Sequence, residues 1–287
     1  MSAKLQFIAE IGSNYFVEGK GKSLPRALTL IEEAAAAGAT AVKFQLIDKL
    51  YASPAQQARI DEISLPAEWL PELKAEADRC GVEFLVTPFS VEAVDLILPY
   101  VKRIKIASWD ITFFPLLEKV RDTGLPVILS TGGADLEEVD EALAILRPGD
   151  EFPRDVTLMH CHAGYPTKVD EVNLRGIIDL AGATVSDIDE YEMMPVGLSS
   201  HCPDPEVNAA AVLYQAEIIE AHFDLIDGKG IEAPHSLNPV EFKRMVVLAN
   251  KLLAAKGAYD FPGEKDREFA RSNYRRNSSD WLRPEVR

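Results

Sequence analysis

Cysteine is scarce in this sequence. The chain of 287 residues holds three cysteines, Cys80, Cys161 and Cys202, and no two of them are spaced as in a CxxC motif. An odd and scattered set of this kind argues against a disulfide framework. We therefore expect reduced thiols and a cytoplasmic protein.

Long apolar runs are also lacking. The longest hydrophobic stretches have the length of a β-strand, which argues against a membrane-spanning helix of about 20 residues. The N-terminal segment leads into the first predicted strand without a charged region followed by a long apolar one. We therefore expect neither a signal peptide nor a membrane partner.

Basic residues are outnumbered in the chain. The 30 lysines and arginines stand against 46 aspartates and glutamates, which gives a formal net charge of −16. Because general binding to nucleic acid needs a basic face, we expect no nucleic-acid partner. An anionic substrate would have to be held by a few cations placed close to it.

Eight short apolar runs end in polar residues and alternate with helix-like stretches. The runs occupy residues 7–13, 41–46, 83–89, 103–108, 127–133, 156–163, 196–202 and 218–225. Strand followed by helix, repeated eight times, is typical of an α/β protein folded as a (β/α)8 TIM barrel, whose catalytic groups lie at the C-terminal ends of the strands. We therefore predict an enzyme with a barrel over residues 1–257 and a short C-terminal extension over residues 258–287.

Polar residues that are two apart on a strand share one face, and here they should point into the barrel mouth. The pairs are Lys43 with Gln45, His160 with His162, Ser199 with His201 and Glu220 with His222, and Thr87, Lys105 and Ser108 lie near other strand ends. We interpret His160 and His162 as hydrogen-bonding or orienting residues. Cys161 alternates with them, so it should face the surrounding helices as a small hydrophobic residue.

Lys43 and Lys105 are the sharpest signal for a binding site. A lysine inside a barrel loses several kcal/mol of hydration free energy unless an anion accompanies it. Two lysines at one barrel mouth predict a substrate that carries phosphate and carboxylate groups, with Ser108 and Ser130 as neutral donors. The alternative is a permanent ion pair with a carboxylate such as Glu10.

His201 and His222 lie at the ends of the seventh and eighth predicted strands. Two imidazoles there can bind a divalent metal ion and still leave positions open for water and substrate. For either residue alone, a hydrogen-bonded core histidine is the simpler interpretation. For the pair, with Glu10, His160 and Cys202 nearby, we favour the metal.

A series of motifs covers nearly the whole predicted barrel in order. They are AEIG at 9–12, VKFQ at 42–45, TPF at 87–89, KIAS at 105–108, ILSTGG at 128–133, LMHCHAGYP at 158–166, VNLR at 172–175, GLSSH at 197–201, EAHF at 220–223 and SLNPVEF at 236–242. In these motifs the sequence resembles the sialic acid synthase family, which are phosphoenolpyruvate-dependent synthases of nonulosonic acids. The resemblance implies the same (β/α)8 barrel that the alternation of runs predicts.

The resemblance also implies a reaction and a set of site residues. The chain would condense phosphoenolpyruvate with an open-chain aldose such as N-acetylmannosamine and release phosphate. Phosphoenolpyruvate is assigned to Lys43, Gln45, Thr87, Lys105, Ser108, Ser130 and Ser199. A divalent ion, Mn²⁺ or Mg²⁺, is assigned to His201 and His222, and the acceptor side to Glu10, Asn14, Tyr165 and Glu232. Glu10, Lys43, Lys105, His201 and His222 form the catalytic set, and a homodimer is expected.

The sequence departs from the family mainly on the acceptor side. Tyr15 opens a longer loop where the family has His-Asn-Gly, and Ala163 stands where it has Asn or Ser. The family's Gly-Pro-Asp-His becomes Gly-Ile-Glu-Ala at 230–233, so its histidine is lost from that motif. YRRN at 274–277 resembles the linker to the family's C-terminal antifreeze-like domain, and we expect a divergent member without that domain. These departures predict the same chemistry on a different acceptor.

Two other functions are compatible with the same residues. Lys43 or Lys105 could act as the amine of a Schiff-base aldolase or lyase. Alternatively, the barrel could bind a sugar without turnover, which Ala163 and Ala233 would favour and the intact lysine and histidine pairs argue against.

Overall fold

The computed structural model describes residues 5–47, 53–146, 155–183 and 194–257. The chain divides into two compact units, Met1–Leu252 and Leu253–Arg287. The first unit contains the predicted barrel, and the described part of the second is limited to residues 253–257. The predicted extension over 258–287 lies outside the described residues, so the domain boundary at 257 stays a prediction.

A single parallel sheet forms the barrel wall. Among the described residues the strands are β1 (Gln6–Gly12), β2 (Phe16–Val17), β3 (Gly21–Lys22), β4 (Ala41–Leu46), β5 (Glu83–Pro88), β6 (Ile104–Ile106), β7 (Val127–Ser130), β8 (Val156–Cys161), β9 (Val196–Ser200) and β10 (Ile218–His222). Eight of them lie in the order β5-β4-β1-β10-β9-β8-β7-β6, and the end strands β5 and β6 are neighbours, which closes the circle. The eight predicted strands and the (β/α)8 barrel are confirmed.

Helices fill the crossovers between these strands. Those described are α1 (Leu24–Ala36), α2 (Pro54–Ile63), α3 (Leu70–Cys80), α4 (Val91–Ile97), α5 (Phe114–Arg121), α6 (Leu136–Leu146), α7 (Gly176–Ala183), α8 (Pro205–Ala210) and α9 (Pro239–Lys256). Ser23 caps α1, because its side chain accepts a hydrogen bond from the Arg26 backbone N–H. Within the described residues, no helix is both long enough and apolar enough to cross a bilayer.

The barrel interior is apolar at its N-terminal end and polar at its C-terminal end. Its apolar floor consists of the buried side chains of Ile8, Ala41, Leu85, Ile128, Met159 and Ile218. Two residues further along the same strands stand Glu10, Lys43, Thr87, Ser130, Cys161 and Glu220, which line the cavity above. The period of two along a strand therefore places one polar layer directly above one apolar layer.

Strand β8 corrects one prediction from the sequence. Cys161 pairs in register with Ser199 and lines the cavity, so it faces inward rather than toward the helices. His160 faces outward, where its Nε2 lies 2.9 Å from the carbonyl oxygen of Val172. The inward orientation predicted for His160 is therefore wrong, although its hydrogen-bonding role is confirmed.

Two segments after β1 and β10 are tied to one another. The Asn14 Oδ1 accepts a hydrogen bond from the Glu232 N–H at 2.8 Å, and the Asn14 Nδ2 donates to the Phe223 carbonyl oxygen at 2.9 Å. Val17 and Gly230 form an antiparallel bridge beside them. These bonds hold the turn over residues 230–236 against the C-terminal end of the barrel.

The loops that follow β1 and β4 both contain secondary structure. The first holds the hairpin of β2 and β3, and the second holds α2, with residues 48–52 outside the described part. Tyr15 is fully buried, and its hydroxyl donates to the Ile63 carbonyl oxygen at 2.6 Å. Tyr15 therefore joins the two loops instead of facing the cavity.

We predict that Gly197→Ala destabilises the barrel. A Cβ at Gly197 would lie 2.6 Å from the carbonyl oxygen of Ile218 and would also meet the sulfur of Met159. Because that oxygen belongs to the backbone of β10, side-chain rotation cannot relieve the clash, and we expect a loss of about 1–3 kcal/mol in the free energy of unfolding.

The measurement is urea unfolding, with Gly182→Ala as the matched control. A Cβ at Gly182 would meet nothing within 4 Å, so this variant should be as stable as the parent or slightly more stable. Equal unfolding free energies for the parent and Gly197→Ala would contradict the close approach of β9 and β10.

Candidate active site

A cavity of about 590 Å³ opens at the C-terminal ends of the barrel strands. Its walls include most of the residues predicted from the sequence, namely Glu10, Lys43, Gln45, Thr87, Lys105, Ser108, Ser130, Tyr165, Ser199, His201, His222 and Glu232. A concave site with a few converging polar groups is the usual form of a small-molecule site. The fold therefore brings together side chains that are far apart in the sequence.

Lys43 lies between two carboxylates. Its Nζ is 2.6 Å from Glu10 Oε2 and 3.7 Å from Glu220 Oε1, and it donates a hydrogen bond to Thr87 Oγ1 at 3.1 Å. Gln45 Nε2 donates to the other oxygen of Glu10 at 2.7 Å. The ion pair with Glu10, which the sequence left open as an alternative for Lys43, is therefore present.

Lys105 has a more distant carboxylate partner. Its Nζ donates to Ser130 Oγ at 2.6 Å and lies 3.6 Å from Glu220 Oε1, which also accepts a hydrogen bond from Ser199 Oγ at 3.0 Å. The second oxygen of Glu220 is buried and has no hydrogen-bond partner. Glu220 is therefore the common counter-ion of Lys43 and Lys105.

Burial and charge shift the pKa values of this network in different directions. Burial raises the pKa of Glu10, although Lys43 opposes the shift. Burial would also raise the pKa of Glu220, but Lys105 and Lys43 outweigh it and lower that pKa to about 2. Glu220 is therefore the ionised carboxylate of the network at neutral pH, and Glu10 is the one that takes up a proton more readily.

The two lysines differ in the same way. Burial would lower the pKa of Lys43, but the charges of Glu10 and Glu220 raise it above its ordinary value. For Lys105, burial and the nearby charge of Lys43 lower the pKa despite the attraction of Glu220. Lys43 is thus a firmly charged ammonium group, and Lys105 gives up its proton more easily than an ordinary lysine.

Ser108 and Cys161 line one wall of the cavity and lie close to Gly132. The Gly132 N–H donates a hydrogen bond to Ser108 Oγ at 3.0 Å. A Cβ at Gly132 would lie 2.9 Å from Ser108 Oγ and 3.0 Å from Cys161 Sγ, so no larger residue fits without movement. Burial raises the pKa of Cys161, which keeps the inward-facing thiol protonated.

Three imidazoles gather on the side of the cavity formed by β9 and β10. The ring centroids of His201 and His222 are 5.3 Å apart, and those of His222 and His235 are 4.5 Å apart. Glu232 Oε2 lies 2.8 Å from His222 Nδ1. One candidate ligand atom from each of His222, Glu232 and His235 lies within 4.8 Å of the other two.

His201 is held by a carbonyl group and an aromatic ring. Its Nδ1 lies 2.8 Å from the His162 carbonyl oxygen, and the ring of Tyr165 stacks on it with a centroid distance of 3.7 Å. Burial and the proximity of His222 lower the pKa of His201 to about 3, and the same causes lower the pKa of His235 to about 4. Both imidazoles are therefore neutral at neutral pH, and because a carbonyl oxygen only accepts, the lone pair of His201 is on Nε2.

The residues assigned to the acceptor side occupy different depths. Tyr165 is 48% exposed at the cavity rim, and Glu232 is partly buried beside His222. Asn14 is fully buried, and its side-chain bonds go to the turn over 230–236 and to Phe223 and Ser236. Asn14 thus supports the position of Glu232 from behind.

Several cavity residues were not identified from the sequence. His235, Trp109 and Asp110 line the cavity, and burial raises the pKa of Asp110 to about 7. Trp109 and Asp110 directly follow the KIAS motif, which was a usable signal. His235 lies in a short turn without a periodic pattern, so its only signal was the rarity of histidine in the chain.

Comparison with known proteins identifies related sequences across most of the chain. A family model described as "NeuB family" matches residues 30–260 of this chain. An uncharacterized protein of Methanocaldococcus jannaschii is 38% identical over 247 residues, which cover 83% of this chain and 70% of that protein. The N,N'-diacetyllegionaminic acid synthase of Campylobacter jejuni is 34% identical over 275 residues, covering 88% of this chain and 78% of that one.

A solved structure extends the similarity to three dimensions. The N-acetylneuraminic acid synthetase of Leptospira borgpetersenii, in complex with citrate, superimposes with a TM-score of 0.82 at 28% identity, covering 94% of this chain and 91% of that chain. The Campylobacter and Leptospira relatives are named as sugar-acid synthases, which confirms the expectation of an enzyme. Because the family match spans more than half of the chain and agrees with the motifs, the protein belongs to the NeuB family.

Proposed function

We propose that this protein condenses phosphoenolpyruvate with an open-chain aldose, forming a nonulosonic acid and releasing phosphate. The observation that carries the proposal is the convergence of Lys43 and Lys105, 3% and 2% exposed, on one oxygen of Glu220 at the cavity wall. Two desolvated ammonium groups at one cavity favour a ligand with more than one negative charge. The activities named for the Campylobacter and Leptospira relatives support the same reaction class.

Lys105 is the cation we assign as the principal contact for phosphoenolpyruvate. Lys43 already has Glu10 at 2.6 Å, whereas the carboxylate nearest to Lys105 is 3.6 Å away. The hydroxyl groups of Ser108, Ser130 and Ser199 lie on the same cavity and can add neutral hydrogen bonds. We assign Gln45 and Thr87 to the same ligand through their position beside Lys43.

The proposed reaction is balanced without a further co-reactant. C3 of phosphoenolpyruvate forms a bond to the aldehyde carbon, the oxygen of water bonds to C2, and the C2–O bond to phosphate breaks. One proton of the water ends on the aldehyde oxygen and the other on the phosphate, while C2 becomes a ketone. Glu10 is suited to move these protons, because it lines the cavity and burial raises its pKa above the ordinary value of a carboxyl group.

We include a divalent metal ion, with His201 and His222 as its proposed ligands. The donor set fits, because His201 Nδ1 is engaged by the His162 carbonyl oxygen, which leaves its Nε2 for a metal, and His222 presents a second imidazole at a ring-centroid distance of 5.3 Å. When bound, such an ion polarises a carbonyl oxygen as a Lewis acid. Imidazole donors favour a transition-metal ion such as Mn²⁺ over Mg²⁺.

A Schiff-base lyase is the second candidate, and one observation favours it. The pKa of Lys105 is lowered by burial and by Lys43, which increases the fraction of reactive amine. Borohydride reduction in the presence of pyruvate separates the candidates, since only the lyase would retain a covalent adduct. The homodimer and the cytoplasmic location stay predictions.

The first test of the function is phosphate release from phosphoenolpyruvate with a panel of aldoses and Mn²⁺. We expect release only when an aldose is present, with ¹⁸O from the bridging position recovered in phosphate because the C–O bond breaks. Since Glu232 and Ala163 alter the acceptor side, we expect another aldose or an aldose phosphate to exceed N-acetylmannosamine in kcat/KM. Release that does not depend on any aldose would contradict the proposal.

Removal of the Lys105 ammonium group should weaken phosphoenolpyruvate binding. A hydrogen bond to a charged group contributes about 1.5–3 kcal/mol, so Lys105→Ala should lower the affinity at least about tenfold in calorimetry. Lys102→Ala is the matched control, because Lys102 is exposed three residues earlier and should leave the affinity unchanged. Equal affinities for the parent and both variants would remove Lys105 from the site.

Chelation should abolish turnover, and added Mn²⁺ should restore it. His201→Ala combined with His222→Ala should remain inactive at Mn²⁺ concentrations that saturate the parent, because both proposed ligands are gone. Phosphate release is the measurement, and circular dichroism checks that the double variant is folded. Full turnover in excess chelator would show that the reaction needs no metal.

A further inference from the structure

His235 has no part in the reaction as proposed, yet it enters the same cavity. It ends the short turn Ala233–His235 between β10 and α9 and is partly buried. Its ring centroid lies 4.5 Å from that of His222 and 5.3 Å from that of Tyr165. The chain has five histidines, and with His201 three of them line this one cavity.

The turn that carries His235 is fixed to the strand that carries His222. The Leu237 N–H donates to the His222 carbonyl oxygen at 2.8 Å, and the Asp224 N–H donates to the Leu237 carbonyl oxygen at 3.1 Å. Ser236 Oγ donates to the Glu232 carbonyl oxygen at 2.7 Å, within the turn itself. His235 is therefore held beside His222 by the backbone, as a ligand on a supported element needs to be.

The donor atoms are close enough for one ion to bind them. The candidate atoms of His222, Glu232 and His235 lie within 4.8 Å of one another. Ligands at about 2.1 Å from a metal stand roughly 3–3.5 Å apart, so movements of about 1 Å or less would bring the three into contact with an ion. Glu232 Oε1 accepts a hydrogen bond from the Ser13 N–H at 2.9 Å, which orients the carboxylate and turns Oε2 toward His222.

We propose that His235 is a metal ligand, forming with His222 and Glu232 a site for a divalent transition-metal ion of the Zn²⁺ class. This proposal rests on the proposed function in one respect, namely that a metal ion binds in this cavity. It adds the imidazole of His235 and the carboxylate of Glu232 to the expected pair of His201 and His222. Two imidazoles and a carboxylate suit a transition metal better than Mg²⁺, which prefers oxygen donors and retained water. The site should therefore discriminate strongly against Mg²⁺.

The test is calorimetric titration of the metal-free full chain with Zn²⁺, Mn²⁺ and Mg²⁺. His235→Ala should weaken Zn²⁺ binding by about tenfold or more, since even loss of a hydrogen-bond partner of a ligand costs 10–100-fold in affinity. Mn²⁺ affinity should fall less, because Mn²⁺ depends less on imidazole donors. His162→Ala is the matched control, because its exposed imidazole lies outside the three-residue site and its affinities should equal those of the parent.

A second measurement uses the unaltered chain and so does not depend on how a variant folds. With five histidines, the imidazole nitrogens can be followed individually by NMR during Zn²⁺ titration. Saturable shifts of His235 together with His222 are expected, while His160 should not shift. No shift of His235, together with an unchanged Zn²⁺ affinity in His235→Ala, overturns the proposal.

Different results would contradict the proposed reaction and the proposed role of His235 as a metal ligand. If His222→Ala abolishes Zn²⁺ binding and His235→Ala does not alter it, the metal-dependent function stands and His235 is excluded as a ligand. If neither variant alters metal affinity and turnover persists in chelator, the metal is absent from the function itself. If His235→Ala loses Zn²⁺ affinity but no aldose supports phosphate release, the site stands and the proposed reaction fails.

Discussion

The site depends on the burial of two positive and two negative charges on the inner wall of the barrel. Glu10, Lys43, Lys105 and Glu220 are between 1% and 4% exposed, and a lone buried charge would lose several kcal/mol of hydration free energy. Each charge is therefore tolerable only because the others are present. They come from four different strands, and a slip of one residue in any of these strands would turn its charge away from the interior. The charge network and the barrel register thus constrain each other.

The two halves of the cavity are supported by different means. The lysine and glutamate wall stands on strands directly above the apolar floor, so ordinary strand pairing positions it. Glu232 and His235 stand on a turn, which is positioned by the buried side chain of Asn14 and by the backbone bond from Leu237 to His222. A strand position tolerates little change, whereas a turn can alter its side chains while its backbone bonds persist. Variation in specificity would accordingly be concentrated on the turn.

The same division explains what the sequence could predict. Lys43, Lys105, His201 and His222 were identified because each lies within a strand or directly after one, where a period of two and a polar residue in an apolar run are visible in the sequence. The orientation of Cys161 was predicted wrongly, because the face of a strand residue is set by its register with Ser199 on the neighbouring strand. His235 was missed, because its place in the cavity follows from tertiary hydrogen bonds of the turn and from no local pattern.

The turn over residues 230–236 differs from the family motif but still supplies polar side chains to the cavity. By motif comparison, Ala233 removes a histidine and Glu232 replaces an aspartate. In the fold, the longer Glu232 side chain reaches both the Ser13 N–H and His222 Nδ1, and His235, two residues beyond Ala233, brings an imidazole to the same cavity. Charge and donor type at the cavity wall are therefore retained although the residues at matching positions differ. An enzyme that had lost its function would have no reason to keep these groups satisfied and converging, so the geometry favours a working site with altered recognition over an inactive barrel.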